Sequence, residues 1–336
     1  MINLVIHFNG ANLNFHSICP VVLFAFFFDT IDVTVLEHVN FGYSGSHGPD
    51  HWAENYDTCV GKHQSPINIQ EHDVRDINLP LLIFSGLDTP RKFFLINNGH
   101  TALLYSSKDN KQFYMSGGPL NGIYVFEQLH FHWGENDREG SEDLINNHSF
   151  AMELHAVFYK DKYGSMNDAI HNPDGLAVIA FFFEAEVNDR ANPLFDTIVE
   201  ALPKIEKVGT EIQLSENMHL GHLLNPAGPP SDRMQNYFTY NGSLTTPPCS
   251  EVVTWIDFKY PLYLSHLQIA AFRNIRGFEG HKLTHNFRPV QPLSDRRVLH
   301  NLPNKKFNTK SEAIQISPSH HVLPFLSLIC LAYLFL

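Results

Sequence analysis

The stretch LHFHWGENDREGSED, residues 129–143, sets two histidines one residue apart in a run that otherwise reads as a buried strand. Successive side chains of an extended backbone point to opposite faces, so His130 and His132 project together and Phe131 points away. A second strand candidate follows, FAMELHAVF (150–158), with His155 and, two residues earlier on the same face, Glu153. If the two strands pair or lie close, three imidazoles converge. Three neutral histidines with an open fourth position are a catalytic zinc arrangement. A single histidine in such a strand is more often a satisfied core residue, and an H-x-H pair also occurs in other metal-binding folds such as cupins. The third histidine and its neighbouring glutamate move the reading to a metal.

The surrounding sequence is of one kind. KFFLINNG, TALLYSS, KQFYMSGGP, GIYVFEQLHFHWG, LAVIAFFFEA and VVTWIDF are short runs rich in Val, Ile, Phe and Tyr, separated by Gly, Pro, Asn and Asp. That is a strand-and-turn signature. Helical spacing is clearest in NPLFDTIVEALPKI (192–205) and SHLQIAAFRNI (265–275). No internal repeat or linker interrupts the chain between about residues 40 and 300, so the expectation is one mainly β domain with a few peripheral helices. The 336 residues carry a net charge of −12, which argues against a nucleic-acid partner, for which a basic patch is expected.

The two ends differ from the middle. VLPFLSLICLAYLFL (322–336) is apolar to its last residue and follows the polar NTKSEAIQISPSHH, in which Ser311 and Ala313 are small. Small residues, a polar spacer and an apolar tail form the pattern of a GPI-attachment signal. A short transmembrane anchor is the alternative, although a spanning helix needs roughly 20 residues. Near the start, PVVLFAFFF (20–28) has the apolar character of a secretory signal but neither a preceding basic residue nor an evident cleavage site. Of four cysteines, Cys19 and Cys330 lie in these ends; Cys59 and Cys249 remain, a pair able to form one disulfide in an oxidising compartment. Asn147 and Asn241 begin N-x-S sequons, which also fits secretion. The expected division is 1–37 as an N-terminal region with an atypical signal, 38–300 as the catalytic domain, and 301–336 as spacer and anchor signal.

Taken in order, GPDHW, QSPINI, QLHFHWG, GSED, MELHAV, GSLTTPPCSEVVTW and NFRPVQP resemble the α-class carbonic anhydrases, from about Gly42 to Pro292. The resemblance implies a large, twisted, mostly antiparallel central sheet with zinc at the bottom of a conical cleft. It makes His130, His132 and His155 the zinc ligands, with Gln128, Glu153 and the backbone carbonyl of Asn286 as the groups that orient them. Thr245 matches the family's gatekeeping threonine and Glu142 the acid that takes its hydroxyl proton. Val157, Val178, Leu244 and Trp255 match the apolar wall that receives carbon dioxide, and Thr246 the residue that helps position bicarbonate. His100 matches the proton shuttle, with Asn98 and Tyr43 ordering water beside it; Cys59 and Cys249 match the disulfide of the secreted and membrane-associated members. Phe41 departs from a usual tryptophan, Leu103 from an often polar wall position, and Glu127 adds an acid beside Gln128.

The implied activity is zinc-dependent, reversible hydration of carbon dioxide to bicarbonate and a proton, by zinc-bound hydroxide, at the extracellular face of the plasma membrane. The partners this implies are carbon dioxide, bicarbonate and a membrane reached through a lipid anchor. Association with bicarbonate transporters stays open, as does a simply secreted form. Members of the family that serve only as binding modules lack one or more of the three histidines, all of which stand here. A different zinc hydrolase is the enzymatic alternative.

Overall fold

The computed structural model describes residues 41–302 apart from 88, 90, 108–112, 216–219 and 225–231. The leader expected within 1–37 and the anchor signal at 322–336 lie outside the described residues. In chain order the strands are β1 (Asn68–Ile69), β2 (Arg75–Ile77), β3 (Ile83–Ser85), β4 (Phe93–Asn97), β5 (Ala102–Ser106), β6 (Tyr114–Ser116) and β7 (Tyr124–Trp133). There follow β8 (Leu144–Ile145), β9 (Met152–Lys160), β10 (Leu176–Ala185), β11 (Glu211–Gln213), β12 (Tyr237–Gly242), β13 (Val253–Leu264) and β14 (Leu299–Asn301). Twelve of these described strands make one sheet, in the order β11-β4-β5-β7-β9-β10-β13-β12-β14-β2, with β6 beside β7 and β3 beside β6. Only β10–β13 and β14–β2 are parallel within it, so the large, mostly antiparallel central sheet is as expected. β1 and β8 form a separate parallel pair.

The sequence explains which strands lie in the middle. β9 is buried at every position and β10 along its first eight residues, as expected of strands covered on both faces. Leu154, Ala156 and Phe158 of β9 pack with Ile179 and Phe181 of β10 into the larger core. Val157, Val178, Ala180 and Trp255 belong to a second core on the opposite face. β7 does not alternate strictly, and its pairing with β9 shows why: the register shifts between Phe126 and Gln128, leaving Glu127 as an extra residue. The bulge lets Phe126 join the same core as Leu129, Phe131 and Trp133, although the odd and even positions exchange faces across it.

Helices are short: α1 (Met166–Ala169), α2 (Asp196–Val199), α3 (Leu220–Leu224) and α4 (His266–Phe272). Within SHLQIAAFRNI, α4 starts at a capping box between Ser265 and Gln268 and buries Ile269 and Phe272. The segment 192–205 does not form one continuous helix. It divides into a 3₁₀ turn at Pro193–Phe195, α2, and a second 3₁₀ turn at Leu202–Ile205. Pro203 lacks an N–H and disfavours the α conformation in the residue before it, which accounts for the break.

Cys59 and Cys249, 190 residues apart in sequence, are joined by a disulfide. Both are buried, and the bridge ties the N-terminal turns to the loop that precedes β13. A bridge closing so long a loop removes much of the freedom of the unfolded chain and typically contributes about 2–4 kcal/mol. Cys249→Ser is therefore expected to lower unfolding free energy by about that amount in urea titrations. Equal midpoints for variant and parent would show that the bridge contributes nothing to stability.

Candidate metal centre

The antiparallel pairing of β7 with β9 sets His130 directly opposite His155, and His132 opposite Glu153. The three rings meet with centroids 5.0, 5.3 and 4.5 Å apart, and one nitrogen from each lies within 4.8 Å of the others. The remaining nitrogen of each ring is held by an acceptor. His130 Nδ1 donates to Gln128 Oε1 at 2.9 Å, His132 Nδ1 to the Asn286 carbonyl at 2.8 Å, and His155 Nε2 to Glu153 Oε1 at 2.6 Å. Because all three partners accept, the protons sit on those nitrogens, and His130 Nε2, His132 Nε2 and His155 Nδ1 face one another as lone pairs. His132 Nε2 is buried with no hydrogen-bond partner. Burial first, and repulsion from His132 second, hold His130 and His155 well below the ordinary imidazole range. Neutral imidazoles with converging lone pairs are what a bound metal ion requires, so the donor set fits one.

Two buried carboxylates stand around the rings. Glu153, besides holding His155, accepts at Oε2 from the backbone N–H groups of Glu142 at 2.8 Å and Asp143 at 3.0 Å. Burial raises its carboxyl well above the usual range, and the neighbouring Asp143, Glu142 and Asp257 add to this. Glu142 Oε1 accepts from the Arg288 backbone N–H at 2.8 Å, while Oε2 faces inward, 3.4 Å from His132 Nε2 and 3.8 Å from His155 Nδ1. Burial raises Glu142 too, against the opposing influence of His132, the Thr245 side chain and Arg288.

The residues expected to form the apolar wall lie in line: Val157 opposite Val178, and Val178 opposite Trp255, across three adjacent strands. Trp255 presents its ring to His155 at 4.8 Å and donates Nε1–H to the Ser243 carbonyl at 3.1 Å. Leu244 packs partly buried against the same group. Thr246 follows Thr245 on the connecting turn, where its carbonyl accepts from Cys249 N–H at 2.8 Å. Leu103, the departure noted in the sequence, lies directly opposite His130 on β5.

The His100 and Tyr43 rings lie 6.5 Å apart, and Asn98 is bonded to the backbone of the same turn as His100. Asn98 Oδ1 accepts from the N–H groups of His100 at 3.0 Å and Thr101 at 2.9 Å, which shapes the turn itself. Tyr43 is buried and held in its neutral form by burial and by Glu142. The His100 ring stacks on Phe41, a contact the sequence did not reveal. Three further features escaped the sequence reading. The Asn286 side chain donates to the carbonyls of His100 at 3.0 Å and Phe131 at 2.8 Å, and accepts from Trp133 N–H at 2.7 Å. Asp143 is buried, bonded to Ile67 N–H at 2.7 Å and the Tyr240 hydroxyl at 3.1 Å. Asp257 is buried with neither carboxylate oxygen hydrogen-bonded.

The model of the eukaryotic-type carbonic anhydrases matches residues 47–302. Carbonic anhydrase 15 of Mus musculus is 38% identical over 261 residues, covering 75% of this chain and 79% of its own length. Carbonic anhydrase 1 of Monodelphis domestica is 35% identical over 271 residues, 78% of this chain and 98% of its own. Carbonic anhydrase 3 of Sus scrofa is 34% identical over 261 residues, 76% and 96%.

Asp257 yields a stability test. It lies opposite Ala180, which in turn lies opposite His155, and burial and Asp143 raise its carboxyl well above the usual range. The folded chain keeps a proton there that the unfolded chain releases above its ordinary pKa of about 3.9, so stability from this group falls as pH rises from about 4 towards the folded pKa. Asp257→Val is expected to stabilise the protein by about 1–3 kcal/mol near neutrality. The gain should shrink on acidification towards the unfolded pKa, as read by denaturant titration across that range. A loss of stability at neutral pH would mean that the carboxyl is paired in solution.

Proposed function

The chain belongs to the eukaryotic-type carbonic anhydrase family, and on that premise we propose that it catalyses the reversible hydration of carbon dioxide to bicarbonate with zinc as its metal. The observation that supports this reading best is the set of three converging, neutral imidazoles, each with its other nitrogen held by an acceptor. Zinc, when bound, supplies Lewis acidity at an open coordination position. Gln128, Glu153 and the Asn286 carbonyl fix the tautomer and angle of each ring, and hydrogen bonding at the far nitrogen strengthens the ligand.

The roles of the remaining residues follow from their chemistry. Thr245 donates its hydroxyl hydrogen bond to Glu142, which leaves only lone pairs on the threonine oxygen for its other neighbour. It then accepts the proton of the reacting oxygen, and that orients the oxygen's lone pair towards the substrate. Val157, Val178, Leu244 and Trp255 keep water off one side and admit a small apolar molecule, for which hydrogen-bonding groups are of no use. Thr246 meets the bicarbonate that forms, and His100 takes the surplus proton outward past Tyr43 and Asn98.

The proposed location is the outer face of the plasma membrane. The catalytic domain at 38–300 follows a removed leader and precedes a GPI signal ending in the apolar 322–336. The Cys59–Cys249 bridge supports an oxidising compartment, and Asn147 and Asn241 are exposed as glycan acceptors must be. Among the described residues no helix is long and apolar enough to cross a membrane.

Stopped-flow carbon dioxide hydration with and without chelator tests the activity. His155→Ala should bind no stoichiometric zinc by elemental analysis and should hydrate no faster than the chelated parent. Gln128→Ala should weaken metal binding roughly 10–100-fold. Full activity in metal-free His155→Ala would end the assignment. For the anchor, a phosphatidylinositol-specific phospholipase should release the protein from cells; retention, with the 322–336 peptide still present by mass spectrometry, would favour a short transmembrane anchor.

A further inference from the structure

A row of directly opposed residues leads away from the metal centre across the sheet. His130 on β7 faces Leu103 on β5, Leu103 faces Ile96 on β4, and Ile96 faces Glu211 on β11. One pleat along, a second row runs through Gln128, Tyr105, Phe94 and Gln213. Opposed residues share a face of the sheet, so these side chains stand on the side that carries the histidines.

Leu103, Ile96, Tyr105 and Phe94 make up the middle of the two rows. The alternate residues of the same strands, Phe93, Leu95, Ala102 and Leu104, are buried in the larger core. Leu103, Ile96, Tyr105 and Phe94 are only partly buried, and neither core of the described residues includes them. The rings of Phe94 and Tyr105 stack, with centroids 5.5 Å apart and planes 22° from parallel. In the strand order β4-β5-β7, two strand spacings carry this shelf about 10 Å from the histidines. Single exposed apolar residues need no explanation, but a contiguous strip that starts at a metal centre does.

The shelf is uncharged, and charge stands at its ends. At the near end His130, His132 and His155 form a donor set for a cation. At the far end Glu211 is exposed and accepts from the Tyr105 hydroxyl. The exposed Lys92 is on the same face but four residues along β4 from Ile96, beyond Phe94 and away from the row that ends in Glu211. A molecule with an anionic head and an uncharged apolar tail matches this order; a second anionic group at the tail end meets Glu211.

We propose that the shelf binds the hydrocarbon chain of medium-chain monocarboxylates. Their carboxylate takes the place of bicarbonate at the metal centre, the chain lies along Leu103 and Ile96, and such acids inhibit the enzyme. The head group in this proposal rests on the reading of the centre as one that releases bicarbonate, which shares its O–C–O end with every carboxylate. The tail rests on the shelf alone. No bond is made or broken.

The test titrates acetate, butyrate, octanoate and the dicarboxylate suberate into the zinc-loaded protein, with inhibition read by stopped-flow hydration and binding by calorimetry. Octanoate should bind on the order of tenfold more tightly than butyrate, the gain from four methylenes covered on one side. Suberate, as long as octanoate, should gain nothing over butyrate. Leu103→Asn and Ile96→Asn should each flatten the chain-length gradient and leave acetate binding as in the parent. Glu211→Gln, at an exposed position, keeps the test open if those variants fail to fold; it should bring suberate towards octanoate. NMR should show contacts from the octanoate chain to the methyl groups of Leu103 and Ile96. Equal binding of butyrate and octanoate, or chain contacts with Val178 and Leu244 in place of Leu103, would overturn the proposal. Octanoate bound along the shelf of a zinc-loaded protein that hydrates no carbon dioxide would instead remove the activity reading and leave the shelf standing.

Discussion

Everything at the centre depends on one register, the pairing of His130 against His155. A strand's side chains alternate with a period of two, so a slip of one residue would turn the histidines of one strand into the apolar core and its Phe and Leu into the site. Two features pin that register. Phe131, Trp133, Leu154 and Phe158 are fully buried in one core, where an unpaired polar side chain would be costly. The bulge at Glu127 then reconciles a core-facing Phe126 with a site-facing Gln128. Glu127 therefore has a backbone reason to be there, apart from any contribution its charge makes.

The register also concentrates polar groups where a β core least tolerates them. Burial pushes His130 and His155 down and the carboxylates Glu142 and Glu153 up, each towards its neutral form. Buried charges persist in proteins when they are paired or bind a metal. A divalent cation among the imidazoles would relieve both shifts at once, favouring ionised Glu142 and Glu153 while using the lone pairs of the rings. Asp257 is different, since neither of its oxygens is hydrogen-bonded and the nearby Asp143 adds to the effect of burial.

Much of this was legible in the sequence because it is local. The i, i+2 spacing of His130 and His132, the Glu153–His155 pair, and the unbroken apolar run of β10 each sit inside a few residues. The resemblance placed the distant partners, and Asn286 bonds its carbonyl to His132 as implied, 154 residues away. Other features have no local signal. The short strands β2, β11 and β14 exist because neighbours offer them an edge, and their composition does not mark them. Phe278 reads as one more turn residue until Gly99 and His100 are seen beneath it. Asp143 and Asp257 look like ordinary acids, since nothing near them in sequence announces that they are buried. The helix expected over 192–205 failed for the converse reason: its periodicity was sound, and Pro203 broke it.

Thr245 and Glu142 raise a separate problem of precision, because both sit on loops and loops are mobile by default. The sheet does not hold them; a cross-brace does. Ser65 and Ser243 bond reciprocally, Ser65 N–H to Ser243 Oγ at 2.9 Å and Ser243 N–H to Ser65 Oγ at 3.1 Å, which anchors the start of the threonine loop. Its far end is held by the Cys59 bridge and by Gln64 Nε2 donating to the Cys249 carbonyl at 3.1 Å. Arg288 then joins this frame to the acid: its guanidinium donates to Gln64 Oε1 and the Cys59 carbonyl, each at 2.9 Å, and its backbone N–H holds Glu142 Oε1 at 2.8 Å. A threonine and a glutamate 103 residues apart (245 − 142) are in this way referred to one buried arginine. Catalytic groups on loops reach useful geometry only when their supports are themselves locked. Here the lock is made of Ser65, Ser243, Gln64, Arg288 and the disulfide, all outside the set proposed to carry the chemistry.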